Sequence, residues 1–78
     1  MEPTPTTATA SQRVAANVRA ELAARQITWE SFGALLNWSK STTGRRLRGE
    51  LRWDVDEVER AADALSIDVT ALTGSRAA

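Results

Sequence analysis

Five cations, Lys40, Arg45, Arg46, Arg48 and Arg52, lie between Asn37 and Trp53, with a single acid, Glu50, among them. Arginine carries a permanent charge on a planar fork of N–H donors, and lysine a compact point charge. Both suit anionic oxygens, and the arginine fork also matches planar pairs of acceptors. This is chemistry for gripping and reading a polyanion rather than for breaking bonds. The groups that usually make and break bonds are missing, because the chain has no His and no Cys. That excludes thiol nucleophiles, disulfides and zinc fingers, and leaves no side chain that ordinarily titrates near neutrality. No enzyme activity, metal site or cofactor is expected. The acids of residues 54–68 could be imagined as paired carboxylates, but they fall in a helix cap and on a solvent face.

Net charge is zero, which taken alone argues against a nucleic-acid partner. The distribution argues the other way. From Asp54 to Asp68 there are six acids (Asp54, Asp56, Glu57, Glu59, Asp63, Asp68) against one base, Arg60. A basic stretch followed by an acidic one gives a small molecule two opposed faces, and the local field outweighs the sum.

The basic stretch must be positioned by its elements, and Thr28–Glu50 reads as two short helices joined by a tight turn. Thr28 is an N-cap, with Ile27 before it and Phe32 after it forming a hydrophobic staple. Phe32 and Leu36 share one face, and Gly33 leaves room for another helix to approach. Asn37 tolerates the left-handed conformation that ends the first helix. Trp38 is an apolar plug, and Ser39 caps a second helix running to about Arg48. This is the layout of a helix-turn-helix, whose second helix enters the major groove of DNA.

The flanking segments are helical too. Val14, Val18 and Leu22 recur every four residues, giving a first helix over about Gln12–Arg25 with Ser11 as its cap. Helices two and three cover about Trp29–Leu36 and Lys40–Arg48. Asp54 with Glu57 forms a capping box for a fourth helix, and Trp53 staples onto Val58. Val55, Val58, Ala62 and Leu65 should be its buried face. A short fifth helix, about Val69–Thr73, should turn Ile67, Val69 and Leu72 inward and stop at Gly74. No period-2 run marks a strand. Residues 1–10, rich in Thr, Pro and Ala, are expected to form a disordered tail, 11–74 the domain, and 75–78 a frayed tail.

Thr28–Gly49 resembles the Cro/repressor-type (XRE-like) helix-turn-helix family of phage and bacterial regulators. The family opens its positioning helix with a capping Thr (Thr28) and carries an apolar–small pair inside it (Phe32, Gly33). It turns at Gly or Asn (Asn37), opens its recognition helix with an apolar residue and a Ser or Thr (Trp38, Ser39), and closes it with Gly (Gly49). The resemblance spans Val14–Leu72, with departures at Trp29, where the family usually has Gln, and Arg46, where an apolar or aromatic residue is common. It implies an all-α, five-helix, lambda repressor-like DNA-binding domain.

The first turn of a recognition helix points into the groove, so Lys40, Ser41 and, one turn on, Arg45 are candidates for base edges, with Thr42 beside them. Thr43 and Leu47 should be buried. Arg45 can donate twice to guanine O6 and N7, and Lys40 once. The resemblance also places Gly44 against the bases, where its missing side chain allows close backbone approach. Arg46, Arg48 and Arg52, near the end of that helix, are candidates for phosphates, as are the helix starts at Thr28, Trp29 and Ser39. Two placements of Trp29 remain open: its indole N–H replaces the family's amide donor, or its ring packs on helix one.

Seventy-eight residues fit one small domain without a deep catalytic cleft. The N-terminus has neither a positive region nor an apolar run, so no signal peptide is expected, no stretch suits a membrane span, and a cytoplasmic location follows. The expected partner is a double-stranded DNA operator, with no small-molecule substrate and no membrane. A homodimer is expected to use Ile67, Val69 and Leu72, a surface the resemblance also implies. The rival is a protein-binding adaptor or antirepressor of the same fold, docking through the acidic helix 54–65.

Overall fold

The computed structural model describes residues 9–74, and among them every regular element is a helix. Of the two expected tails, residues 1–8 and 75–78 lie outside the described region. Thr9 and Ala10, assigned above to the first tail, belong to the fold.

Helix α1 is Ala10–Arg25, two residues longer at its start than expected. Its cap is Thr9 rather than Ser11. The Gln12 N–H donates to Thr9 Oγ1 at 3.1 Å, and the Thr9 N–H donates to Gln12 Oε1 at 2.9 Å. This reciprocal pair satisfies two donors that a helix start would otherwise leave open. Ser11 instead accepts from the Trp53 N–H at 2.8 Å, tying α1 to a distant loop. Gln26 closes the helix in the left-handed region at φ 57°.

Helices α2 (Trp29–Leu35) and α3 (Lys40–Leu47) follow, each a residue shorter than expected at its C-terminus. Thr28 accepts from the Ser31 N–H and Ser39 from the Thr42 N–H, both at 3.1 Å. Asn37 takes φ 63° in the connecting turn, and Gly49 takes φ 79° just past α3. Helix α4 is Val55–Leu65, and its capping box forms as expected: the Glu57 N–H donates to Asp54 Oδ1, and the Asp54 N–H to Glu57 Oε1. Helix α5 is the single turn Thr70–Thr73. Asp68 serves its start, accepting from the Thr70 N–H and hydroxyl at 2.9 and 2.8 Å. These bonds hold the Asp68 carboxyl below its ordinary pKa range.

The core gathers Val14, Val18 and Leu22 from α1 with Phe32, Leu36, Leu47, Trp53, Val58, Ala61, Ala62, Leu65 and Leu72. Val55 does not join it. At the first position of α4 it is 73 % exposed, and Ala61 takes the expected fourth place on the buried face. The helix meets the core only from its second turn, so the stripe begins at Val58. Ile27, Trp38, Ile67 and Val69 pack half-buried on this core.

Asn17 is a buried polar residue at the centre of α1. Its Nδ2 donates to the carbonyls of Leu72 (2.7 Å) and Gly74 (2.8 Å), at and just beyond the end of α5. One amide thus holds a single-turn helix that could not persist alone. Asn17→Ala should cost roughly 1–3 kcal/mol, because it strands the buried Leu72 carbonyl. Urea unfolding checks this: the midpoint should fall, and an unchanged midpoint would remove Asn17 as the tether of α5.

Candidate nucleic-acid interface

The basic face faces outward because α2 and α3 pack closely where Gly33 meets Thr43. A Cβ placed on Gly33 would sit 2.1 Å from Thr43 Oγ1, closer than any real contact. The Thr43 hydroxyl donates to the Ser39 carbonyl at 2.8 Å, inside its own helix. With Thr43 and Leu47 buried against the rest of the molecule, the opposite side of α3 faces outward. Lys40, Ser41, Arg45 and Arg48 are exposed there, with Thr42 and Gly44 half-buried beside them. Thr28 and Ser39 stand exposed at the two helix starts, their hydroxyls already engaged as caps. Arg52 is exposed on the loop beyond α3.

Trp29 is not a core residue. It is 37 % exposed and lines an open groove of about 230 Å³ together with Glu30, Lys40, Thr43, Gly44 and Arg48. The Arg48 guanidinium reaches over Gly44, where an added Cβ would meet its Nη1 at 2.9 Å. The groove therefore places the first residue of α2 beside Lys40 and Gly44 of α3 and Arg48 just past its end.

Arg46 departs from its expected place at a phosphate. Its side chain is only 18 % exposed, and Nη1 donates to Glu57 Oε1 at 2.6 Å and to the Arg52 carbonyl at 2.7 Å. Its Cζ lies 5.0 Å from the Trp38 ring centroid, within cation–π range. Trp38 in turn meets Phe32 and Trp53 edge-on, with centroids 6.1 and 5.4 Å apart. The Trp53 indole N–H donates to the Arg46 carbonyl at 3.0 Å. Arg46 thus joins α3 to the capping box of α4. Its Nε is buried without a partner. The guanidinium is committed inside the molecule, which removes it from the outward set.

No protein-family model, curated protein or solved structure matches this chain. The outward set therefore stands on its own geometry.

Three charged residues around α2 and α3, Glu50, Arg19 and Arg60, have partners that the sequence alone does not reveal. Glu50 pairs with Arg48, Oε2 to Nε at 2.8 Å, and more loosely with Arg45, Oε1 to Nε at 3.8 Å. The Arg48 hydrogen bond is the largest influence holding the Glu50 carboxyl below its ordinary pKa range, with the Arg48 and Arg45 charges acting in the same direction. Its signal in the sequence was its isolation among cations. Arg19 donates to the Leu47 carbonyl, and Arg60 to the Leu36 carbonyl, each at 2.5 Å. Both place a cation at a helix C-terminus, where the dipole favours it, and so fix the ends of α3 and α2.

Of the three residues expected to serve a dimer, only part of the surface stays accessible. Leu72 is fully buried, and Ile67 and Val69 pack on the core. Ile67 and Val69 are half-buried and keep part of their apolar area at the surface.

Proposed function

We propose that this chain is a sequence-specific double-stranded DNA-binding regulator that represses by occupying an operator, with α3 as the recognition helix of a helix-turn-helix. The observation that carries the reading is the close Gly33–Thr43 packing, which turns Lys40, Ser41 and Arg45 outward on one face of α3. In this reading Lys40, Ser41 and Arg45, with Thr42 and Gly44, meet base edges. Arg48, Arg52 and the helix starts at Thr28, Trp29 and Ser39 meet the backbone. Phosphate contacts supply affinity and register, and base contacts supply sequence choice. Among the described residues no helix is long and apolar enough to cross a membrane.

One short helix reads few base pairs, so useful specificity needs two copies on a palindromic site. Selection of bound sequences from a random duplex pool, followed by footprinting, tests the whole reading. The expected result is a pseudo-palindrome with two protected half-sites about ten base pairs apart, centre to centre, matching recognition helices about 34 Å apart. A pool that yields no enriched sequence overturns sequence-specific binding, and a single protected patch overturns the dimer.

A second reading is favoured by α4, where exposed Val55 stands beside the exposed acids Asp56 and Glu59. There the chain is an adaptor or antirepressor docking onto a basic protein. Heparin chromatography separates the two, since only the DNA-binding reading requires retention that salt reverses.

A further inference from the structure

The stretch from Asn37 to Trp53 carries one acid, Glu50, and it lies against the two arginines to which the proposed function gives different work. Gly49, at φ 79°, turns the chain back at the end of α3, and the Glu50 N–H donates to the Arg45 carbonyl at 2.9 Å. This turn returns the Glu50 carboxylate along the helix. Oε2 accepts from Arg48 Nε at 2.8 Å, and Oε1 lies 3.8 Å from Arg45 Nε. All three side chains are about half exposed, so the pairs contribute little to the stability of the fold. A carboxylate on a surface that meets phosphates is also repelled by them. Its cost to affinity is plain, and its contribution to folding is small.

We propose that Glu50 is the specificity-determining residue of the DNA-binding face, aligning Arg45 for a base edge and withholding Arg48 from the phosphates of other sequences. The inference rests on the reading of α3 given under Proposed function. On a preferred duplex, the two hydrogen bonds of an aligned Arg45 offset the repulsion between Glu50 and the backbone. On any other duplex that offset is missing, while the repulsion and the competition for Arg48 persist. Discrimination therefore comes from weakening the wrong complexes as well as strengthening the right one. Glu50 remains ionised through the neutral range, since Arg48 favours its charged form, so the device acts as a fixed filter.

The test compares the wild-type chain, Glu50→Gln, Glu50→Asp and Asp63→Asn on a duplex recovered by selection and on its scrambled counterpart, each titrated at several salt concentrations. Asp63 is exposed on α4, and its substitution changes net charge as Glu50→Gln does without touching Arg45 or Arg48. Glu50→Gln should strengthen scrambled binding roughly fivefold, the upper end of the effect expected from an exposed ion pair. Binding to the selected duplex should hold or weaken, so the preference falls by at least that factor. Asp63→Asn should shift both duplexes alike, and Glu50→Asp should keep most of the preference. If Glu50→Gln strengthens both duplexes equally, as Asp63→Asn does, Glu50 acts only through long-range charge. That result overturns the inference and leaves the DNA-binding reading intact. A melting temperature several degrees lower for Glu50→Gln would make the residue structural and overturn the inference equally. If the wild-type chain binds neither duplex in a salt-dependent way, the proposed function falls and the filter falls with it.

Discussion

Gly33→Ala should lower the melting temperature measurably, by roughly 4–8 °C for each kcal/mol lost in a molecule of this size. The expected cost is about 1–3 kcal/mol, the range for overpacking a filled interior. The reason is local and specific. The new methyl would lie 2.1 Å from Thr43 Oγ1 and 3.1 Å from both Thr43 Cβ and Cγ2. Threonine cannot swing aside cheaply, because its branched side chain is buried and its hydroxyl is bonded to the Ser39 carbonyl. The helices must therefore separate or α3 must slide. Removing the obstacle should rescue part of the loss: Gly33→Ala with Thr43→Ala should be less destabilised than the sum of the single changes. Calorimetric melts of the four proteins give the coupling, expected at about 0.5–3 kcal/mol for residues in direct contact. An unchanged melt for Gly33→Ala, or strict additivity, would mean that α2 and α3 do not meet at this pair.

The caps at Thr28, Ser39 and Asp54 were legible because each bonds a backbone group three residues away, so the whole device lies in one short stretch. The same holds for Asn37 and Gly49, whose residue types announce a left-handed turn. Gln26 and Ser66 adopt that conformation without any such announcement. Tertiary context decides there, and local preference does not. Long-range partners were hidden for the same reason. Nothing near Arg46 in sequence shows that Glu57 and Trp38 will enclose it, so it was grouped with cations it does not join. Asn17, whose partners lie more than fifty residues away, gave no local sign of its role. The exposed members of the basic face were better placed, because helical periodicity with Thr43 and Leu47 inward leaves Lys40, Ser41 and Arg45 outward.

Arg45→Ala should cost roughly 1–3 kcal/mol on the preferred duplex and much less on scrambled DNA, as loss of a bidentate base contact requires. Arg45 is 53 % exposed at the side chain and pairs only loosely with Glu50, so removing it leaves the fold alone. Arg48→Ala and Arg52→Ala should behave differently, weakening all sequences by similar factors. Each should also flatten the slope of log affinity against log salt by about one unit, because one fewer counterion is released. Arg46→Ala supplies the contrast within the same helix. With its guanidinium held by Glu57 and the Arg52 carbonyl, its loss should lower the melting temperature and leave the salt slope unchanged. Titrations of the four variants on specific and scrambled duplexes, paired with thermal melts, separate reading, holding and folding. Equal weakening of both duplexes by Arg45→Ala would make Arg45 a backbone contact and move the reading face elsewhere on α3. If Arg46→Ala instead flattened the salt slope with no change in the melt, its guanidinium would have to leave Glu57 when DNA binds, and α3 would have to loosen from the capping box of α4 in the complex.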